Sequence, residues 1–179
     1  KMLNENLSFR KAKIEDIKAI AEIYGNILSG EEKGLSSTGW KRGIYPTAET
    51  AENALERDDL FICKKGGKTV AAAIINKIPA EAYEKGAWRV AAKDGEYMVL
   101  HTLVVDPSAA GCGVGRAFVA FYEDYAKKSG SISLRMDTNE RNAAARGLYK
   151  KLGYEEIGNI PCSFNGLEKI NLILLEKAL

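Results

Sequence analysis

The chain opens on a short alternation of apolar and polar residues over positions 7–12, which predicts a strand. The period then changes, and Ile17, Ile20, Ala21, Tyr24, Ile27 and Leu28 recur at the spacing of one helical face. Glu15 and Asp16 fall in the first turn of that helix, where its dipole favours acids. Periodicity disappears over residues 29–46. Gly30, Gly34, Gly39 and Gly43, with Ser36, Ser37 and Thr38, predict a long mobile loop there. Thr47 is placed to cap a second helix running to about Arg57. Residues 60–64 and 69–77 read as two strands of a hairpin turning at Gly66 and Gly67. Residues 78–95 mix helix formers with Pro79 and Gly86 and support no assignment; Trp88 within them can cover either the core or a substrate.

The stretch EYMVLHTLVV over residues 96–105 is almost continuously apolar, as a central strand covered on both faces should be. A glycine-rich turn follows Asp106-Pro107. It leads into a helix with Val114, Ala117, Phe118, Phe121, Tyr122 and Tyr125 on one stripe, stopped at Gly130. Residues 132–137 predict a strand. Residues 142–152 predict a helix carrying Ala145, Leu148, Tyr149 and Leu152 on one face, with Gly153 as its stop. Two last strands fall at residues 154–160 and 170–176. The expected fold is a single α/β domain over residues 1–179, a mixed, mostly antiparallel twisted sheet of about seven strands with helices on both faces.

Composition removes several functions. The 46% hydrophobic and 28% charged fractions are those of a globular chain. Lys and Arg number 26 against 24 Asp and Glu, and no basic run is long enough to track a phosphate backbone, so nucleic acid is excluded as a partner. No stretch approaches the ~18 apolar residues of a membrane span, and the first residues show no apolar core before a small-residue cleavage site. The expectation is a cytoplasmic protein with no membrane partner. Three cysteines without a C-x-x-C, and a lone His101, predict neither a zinc site nor a disulfide framework, and no metal.

The strongest chemical signal is the turn Ala110-Gly111-Cys112-Gly113-Val114-Gly115-Arg116 between the central strand and an amphipathic helix. Glycines let a backbone approach an anion closely, and the helix N-terminus adds about half a positive charge, so a phosphate group suits this position. A tight turn without a ligand is the plain alternative. The spacing does not give the G-x-G-x-x-G of a dinucleotide site, because Arg116 and Phe118 stand where third glycines would be. There is also no G-x-x-x-x-G-K-[ST] loop. The candidate ligand is another phosphate-bearing cofactor.

The run L-x-V-D-P over residues 103–107 with the following G-x-G-x-G-R-A resembles the acetyl-CoA motif of GNAT acetyltransferases, with Gly113 and Gly115 at its two glycine positions. Ala110 stands where that family has Arg or Gln, which removes a side chain and leaves the backbone donors. A second stretch, LRMDTNERNAAARGLYKKLGY over residues 134–154, resembles the family signature N-x-x-A-x-x-L-Y-x-x-x-G-[FY]. The resemblance implies acetyl-CoA as cosubstrate. Its pyrophosphate would lie on Gly111, Cys112, Gly113, Val114, Gly115 and Arg116, its pantetheine along the backbone of Leu103, Val104 and Val105, and Asn142 would be in contact with it. It implies a backbone N–H, that of Leu103, for the thioester oxygen, and Tyr149 as the acid that protonates the departing thiolate.

The string L-H-T-L-V-V is similar to the central strand of aralkylamine N-acetyltransferases, which implies His101 as the base, directly or through water; Glu96 and bulk water are the alternatives. The plain readings are a core role for Tyr149 and His101 and helix capping for Asn142. Cys112 as an acyl-carrying nucleophile is disfavoured by its place beside the pyrophosphate. The reaction implied is acetyl transfer to a primary amine, on a small molecule or a peptide, by direct attack. The rival is a non-catalytic acyl-CoA sensor on the same fold. The acceptor should meet residues 29–46 and 160–170, which offer Glu31, Glu32, Trp40, Tyr45 and Phe164, and a homodimer is left open as an assembly.

Overall fold

The computed structural model describes residues 6–179; residues 1–5, part of the expected domain and of the reading of the N-terminus, lie outside the described residues. Eleven helices and strands follow in order: β1 (Leu7–Lys11), α1 (Ile17–Glu32), α2 (Ala48–Glu56), β2 (Leu60–Lys65), β3 (Lys68–Asn76), β4 (Tyr97–Val105), α3 (Val114–Lys128), β5 (Ser133–Asn139), α4 (Ala143–Lys151), β6 (Glu155–Phe164) and β7 (Leu167–Ala178). The seven strands form one sheet in the order β1-β2-β3-β4-β5-β7-β6. Only β4 and β5 run parallel; every other neighbouring pair is antiparallel. The parallel pair is the one joined through α3, because a parallel connection needs a crossover.

α1 buries Ile20, Ile23, Tyr24 and Leu28 on one stripe, and with Ala51 and Ala54 of α2 it covers one face of the sheet. Phe118, Val119 and Tyr122 of α3, with Tyr149 of α4, cover the other. Helices thus lie on both faces, as the sequence pattern implies.

Three local expectations are corrected. α1 does not stop at Ser29 but runs through Gly30 to Glu32, and the segment after it is tied down where the glycines predict mobility. The Glu31 carboxylate accepts from the hydroxyls of Ser36 and Thr38 and from the amides of Thr38 and Gly39. Arg42 donates to Glu32 and to the Ser29 hydroxyl. Glu31 and Glu32 therefore hold the segment's shape and do not line an acceptor site.

The expected loop over residues 160–170 is instead a continuous hairpin. β6 and β7 extend to a two-residue turn, Asn165-Gly166, with both φ angles positive (54° and 78°), as such hairpin turns require. Residues 78–95 hold a short 3-10 turn at Glu81–Lys85. Trp88 there packs on Tyr83 at 5.3 Å between ring centres and donates to the Tyr83 carbonyl at 2.7 Å. The Arg135 guanidinium lies 4.2 Å from the centre of the Trp88 ring, and Trp88 packs against the buried cluster of Tyr83, Tyr97, Val99 and Leu174, so it covers the core.

Candidate active site

β4 and β5 are in register from Tyr97↔Ser133 to Leu100↔Met136 and no further. Beyond that point β4 continues to Val105 against β3, while β5 continues to Asn139 against β7. The two parallel strands diverge and leave a cleft between them. Two features open it.

On β4, His101 faces Ile74 and Val104 faces Ala72, so two residues, Thr102 and Leu103, oppose the single Ala73. This is a β-bulge, and Thr102 adopts φ 48°, the left-handed region a branched residue rarely enters. The second feature is a side chain within the ladder. The Arg135 amide donates to the Tyr122 hydroxyl at 3.2 Å, and that hydroxyl donates to the Met98 carbonyl at 2.6 Å, so a tyrosine of α3 stands between the strands where a direct bond would run.

The bulge also inverts the alternation of β4. Tyr97 and Val99 face away from α3 while Met98 and Leu100 face it; after the bulge Val104 faces away and Leu103 and Val105 face α3. A cavity of about 680 Å³ opens at the divergence. His101, Leu103, Asn142 and Tyr149 line it together, although they come from β4, the start of α4 and its last turn. Asp137 of β5 lines it as well, next after the last paired residue, as His101 is on β4. Trp40, Tyr45 and Phe164 form apolar wall. The glycine turn is not part of this cavity; it lies past the end of β4.

The electrostatics differ from what residue types alone imply. His101 Nε2 lies 2.8 Å from Asn76 Oδ1, which also accepts from the Ile78 amide, while Asn76 Nδ2 donates to Asp59. That network orients the Asn76 amide and makes Nε2 the protonated nitrogen of a neutral imidazole. Burial pushes the His101 pKa down to about 4. Asp137 moves the other way, its carboxyl raised to about 6 by burial and partly restrained by the hydrogen bond from Tyr83 (2.6 Å). Tyr149 is held well above its ordinary value by burial and then by the Asp137 charge, so the phenol keeps its proton at neutral pH. Its ring packs edge-on against Tyr154 at 6.1 Å. The Tyr45 phenol, bonded to the Thr102 hydroxyl, is pushed up to about 12, chiefly by burial.

The glycine turn fits a phosphate group. Gly111 and Gly113 take φ 75° and 74°, which only glycine adopts without strain, and α3 starts at Val114 with no side-chain cap on its first amides. A Cβ on Gly115 would lie 3.7 Å from Leu148 and 3.8 Å from Val105, in ordinary contact, so the protein itself has room there. Cys112 sits in this turn, its thiol near the Ala110 carbonyl and away from the cavity. Asn142 lines the cavity and also caps α4, accepting from the Ala145 amide at 3.2 Å; its expected contact and its plain reading coexist. Glu96 precedes β4 and accepts from the Lys93 amide, outside the cavity. Among the described residues no group of three or more His, Cys, Asp or Glu side chains is placed to hold a metal ion. No helix among them is long and apolar enough to cross a membrane.

Residues 29–154 match the acetyltransferase (GNAT) family, over most of the chain and across both motifs. The chain belongs to the GNAT family. It is 38% identical over 150 residues to the uncharacterized N-acetyltransferase YhfO of Bacillus subtilis, covering 84% of this chain and 91% of that one. It is 25% identical over 155 residues to an uncharacterized N-acetyltransferase of Methanocaldococcus jannaschii, covering 86% of this chain and 63% of that protein. It is 31% identical over 114 residues to the ribosomal protein bS18-alanine N-acetyltransferase of Escherichia coli, covering 63% and 66%. The chain therefore spans under two thirds of the length of the latter two.

Among solved structures, a GNAT acetyltransferase from Streptococcus agalactiae superposes with a TM-score of 0.79 at 20% identity, covering 97% of this chain and 95% of the other. The acetyltransferase-like protein yncA of Salmonella typhimurium, solved with acetyl-CoA, gives 0.69 at 17% identity, covering 98% and 95%. The GNAT fold and the class of acetyl-CoA-dependent N-acetyltransferase agree with these matches.

Within this GNAT chain, the cavity adds residues that sequence reading did not assign to the site, Asp137, Asn76 and Thr102, and behind its wall Tyr83, which donates to Asp137. The signal available for Asp137 was an acid closing the strand predicted over residues 132–137. No local pattern marks Tyr83, because its role depends on residues 81–85 folding over β5, 54 positions away in sequence.

Proposed function

We propose that the protein transfers the acetyl group of acetyl-CoA to a primary amine by direct attack, with Tyr149 as the general acid. The observation that carries this is the convergence of Tyr149, His101 and Leu103 on one cavity at the β4–β5 divergence, with the glycine turn heading α3 just beyond β4. Acetyl-CoA supplies the acetyl group as a thioester. The amides of residues 111–116 hold its pyrophosphate, and the unpaired edge of β4 over residues 103–105 holds its pantetheine as an added strand. The bulge supports that role, since it leaves one extra residue of β4 unpaired. The Leu103 N–H faces the thioester oxygen; one donor of that kind is worth roughly 2.7–4 kcal/mol in the transition state.

Tyr149 gives its proton to the departing sulfur as the nitrogen–carbon bond forms and the carbon–sulfur bond breaks, then recovers one from the nitrogen. Its raised pKa suits a group that must arrive protonated. His101 was the expected base. Its imidazole is neutral, but the Nε2 hydrogen is committed to Asn76 and burial makes it a weak acceptor, so its contribution is to shape the wall and position water.

The test is Tyr149→Phe. Its kcat should fall by about 10²-fold or more, with CoA affinity by calorimetry nearly unchanged. Equal turnover in the two proteins, measured where chemistry limits the rate, would return Tyr149 to the core.

A further inference from the structure

The cavity carries an uneven set of charges. Of its lining residues, Glu49, Arg57 and Asp137 are the charged ones. Arg57 is committed: its Nε and one terminal nitrogen donate to the buried Asp59 at 2.9 and 3.2 Å. Glu49 lies at the solvent end, on the first turn of α2. Asp137 lies at the cleft and forms no ion pair with any described residue; its partner is the neutral Tyr83 phenol. The groups that face it are uncharged at neutral pH: Tyr83 from the 3-10 turn, Tyr45, Tyr149 of α4, Cys162 of β6 and His101 of the adjacent strand. Tyr45, Tyr149 and His101 line the same cavity as Asp137, and its charge adds to burial in raising the phenols of Tyr45 and Tyr149 and the Cys162 thiol. Arg135, two residues back on the same strand, is stacked between Trp88 and Tyr97 at 4.2 and 4.0 Å and is held there.

A lone carboxylate in an aromatic cavity suits a cation, because ring faces attract ammonium groups as the carboxylate does. It disfavours an acceptor with its own carboxylate beside the amine, because among the described residues no uncommitted cation lines the site to receive that second charge. Such a group would be buried unpaired, which costs more than a lost contact.

We propose that Asp137 docks the acceptor's ammonium group and takes its proton, that Tyr83 positions Asp137 for this, and that the acceptor is a primary amine on an uncharged apolar arm with no neighbouring carboxylate. This rests on the acetyl-transfer reading above and names its acceptor class. The proton balance closes. The ammonium gives one proton to Asp137, which passes it to solvent, and the resulting amine attacks the thioester carbon. The remaining proton shed by the nitrogen restores Tyr149.

Both a small monoamine and a peptide N-terminus present this chemistry. Three matched acceptors separate the cases: 2-phenylethylamine, phenylalaninamide and free phenylalanine. With the whole protein and acetyl-CoA, kcat/KM for at least one of the first two should exceed that for phenylalanine by about 10-fold or more, as expected when a site's pairing is left unmet. A preference for phenylalaninamide points to a peptide N-terminus, and one for 2-phenylethylamine to a free monoamine. The wild-type kcat/KM should fall on an acid limb near pH 6. Asp137→Asn should lose that limb and about 10²-fold of activity while binding CoA as before. Tyr83→Phe should move the limb to higher pH, since its hydrogen bond holds the Asp137 pKa down.

Phenylalanine acetylated as well as its amide overturns the acceptor class, and an unchanged limb in both variants overturns the role of Asp137. If CoA binds and none of the three is acetylated, the acceptor class fails alone. If CoA does not bind, the acetyl-transfer reading fails with it.

Discussion

Asp137 illustrates how a residue's surroundings change its chemistry. Its folded carboxyl, near 6, holds a proton more tightly than the ordinary 3.8 of an exposed one. The folded state is therefore favoured most below about pH 4, and that advantage is lost as pH rises through about 6. Two units correspond to on the order of 2–3 kcal/mol. Asp137→Asn has no such loss, because an amide can still accept from Tyr83 and carries no charge to desolvate. Denaturant unfolding from pH 4 to pH 8 should show the variant gaining stability on the wild type by roughly that amount as pH rises. A difference that stays constant with pH would return Asp137 to an ordinary carboxyl and remove the idea that the site holds a costly charge for function. His101 shows the complementary case. The sequence supplies an imidazole on the central strand, and only burial together with the Asn76–Asp59 network decides that it stays neutral and weakly basic.

The unit β4, glycine turn, α3 was legible as an element, because each part has a local cause: an apolar run for the strand, positive φ for the glycines, and a period of three to four for the helix. The turn also separates affinity from stability. Gly115 lies in the first turn of α3, and a Cβ there meets Leu148 and Val105 only at ordinary contact distance. Gly115→Val should keep the melting temperature close to wild type, since glycine is itself unfavourable in a helix by about 1 kcal/mol. It should weaken CoA binding by calorimetry by about 10-fold or more, because the side chain enters the space a pyrophosphate needs. Unchanged CoA affinity in the folded variant would move the phosphate site elsewhere. The end of the chain was less legible. Asn165-Gly166 is a hairpin turn signal, but the polar and small residues around it, Ser163, Asn165 and Gly166, hide the strand pattern that the pairing with β7 imposes.

Across the whole molecule, the cavity exists because distant segments meet over the β4–β5 divergence. Gly39, at φ 78°, approaches the end of β5 so closely that a Cβ would lie 2.5 Å from the Asn139 side chain, and Ile44 lies 3.1 Å from where a Cβ on Gly166 would be. The segment after α1 thus spans from β5 to the β6–β7 turn and walls the acceptor side with Trp40 and Tyr45. Gly39→Ala should cost about 1–2 kcal/mol from the left-handed conformation alone. It should also raise the acceptor KM while leaving CoA affinity in place; a raised CoA Kd with an unchanged acceptor KM would contradict this division of the site. The sequence by itself determined most of the element types, the alternation that implies a mixed sheet, the family motifs and the positions of Tyr149 and of the glycine turn along the chain, because these rest on patterns and spacings within a few residues to a few tens of residues. Tertiary structure alone decided the bulge at Thr102, the Tyr122 hydroxyl between the strands, the pairing of Tyr83 with Asp137 and the ordering of the glycine-rich segment by Glu31 and Arg42. Each of these depends on desolvation, or on a partner brought near only by folding, and neither is encoded in local residue spacing.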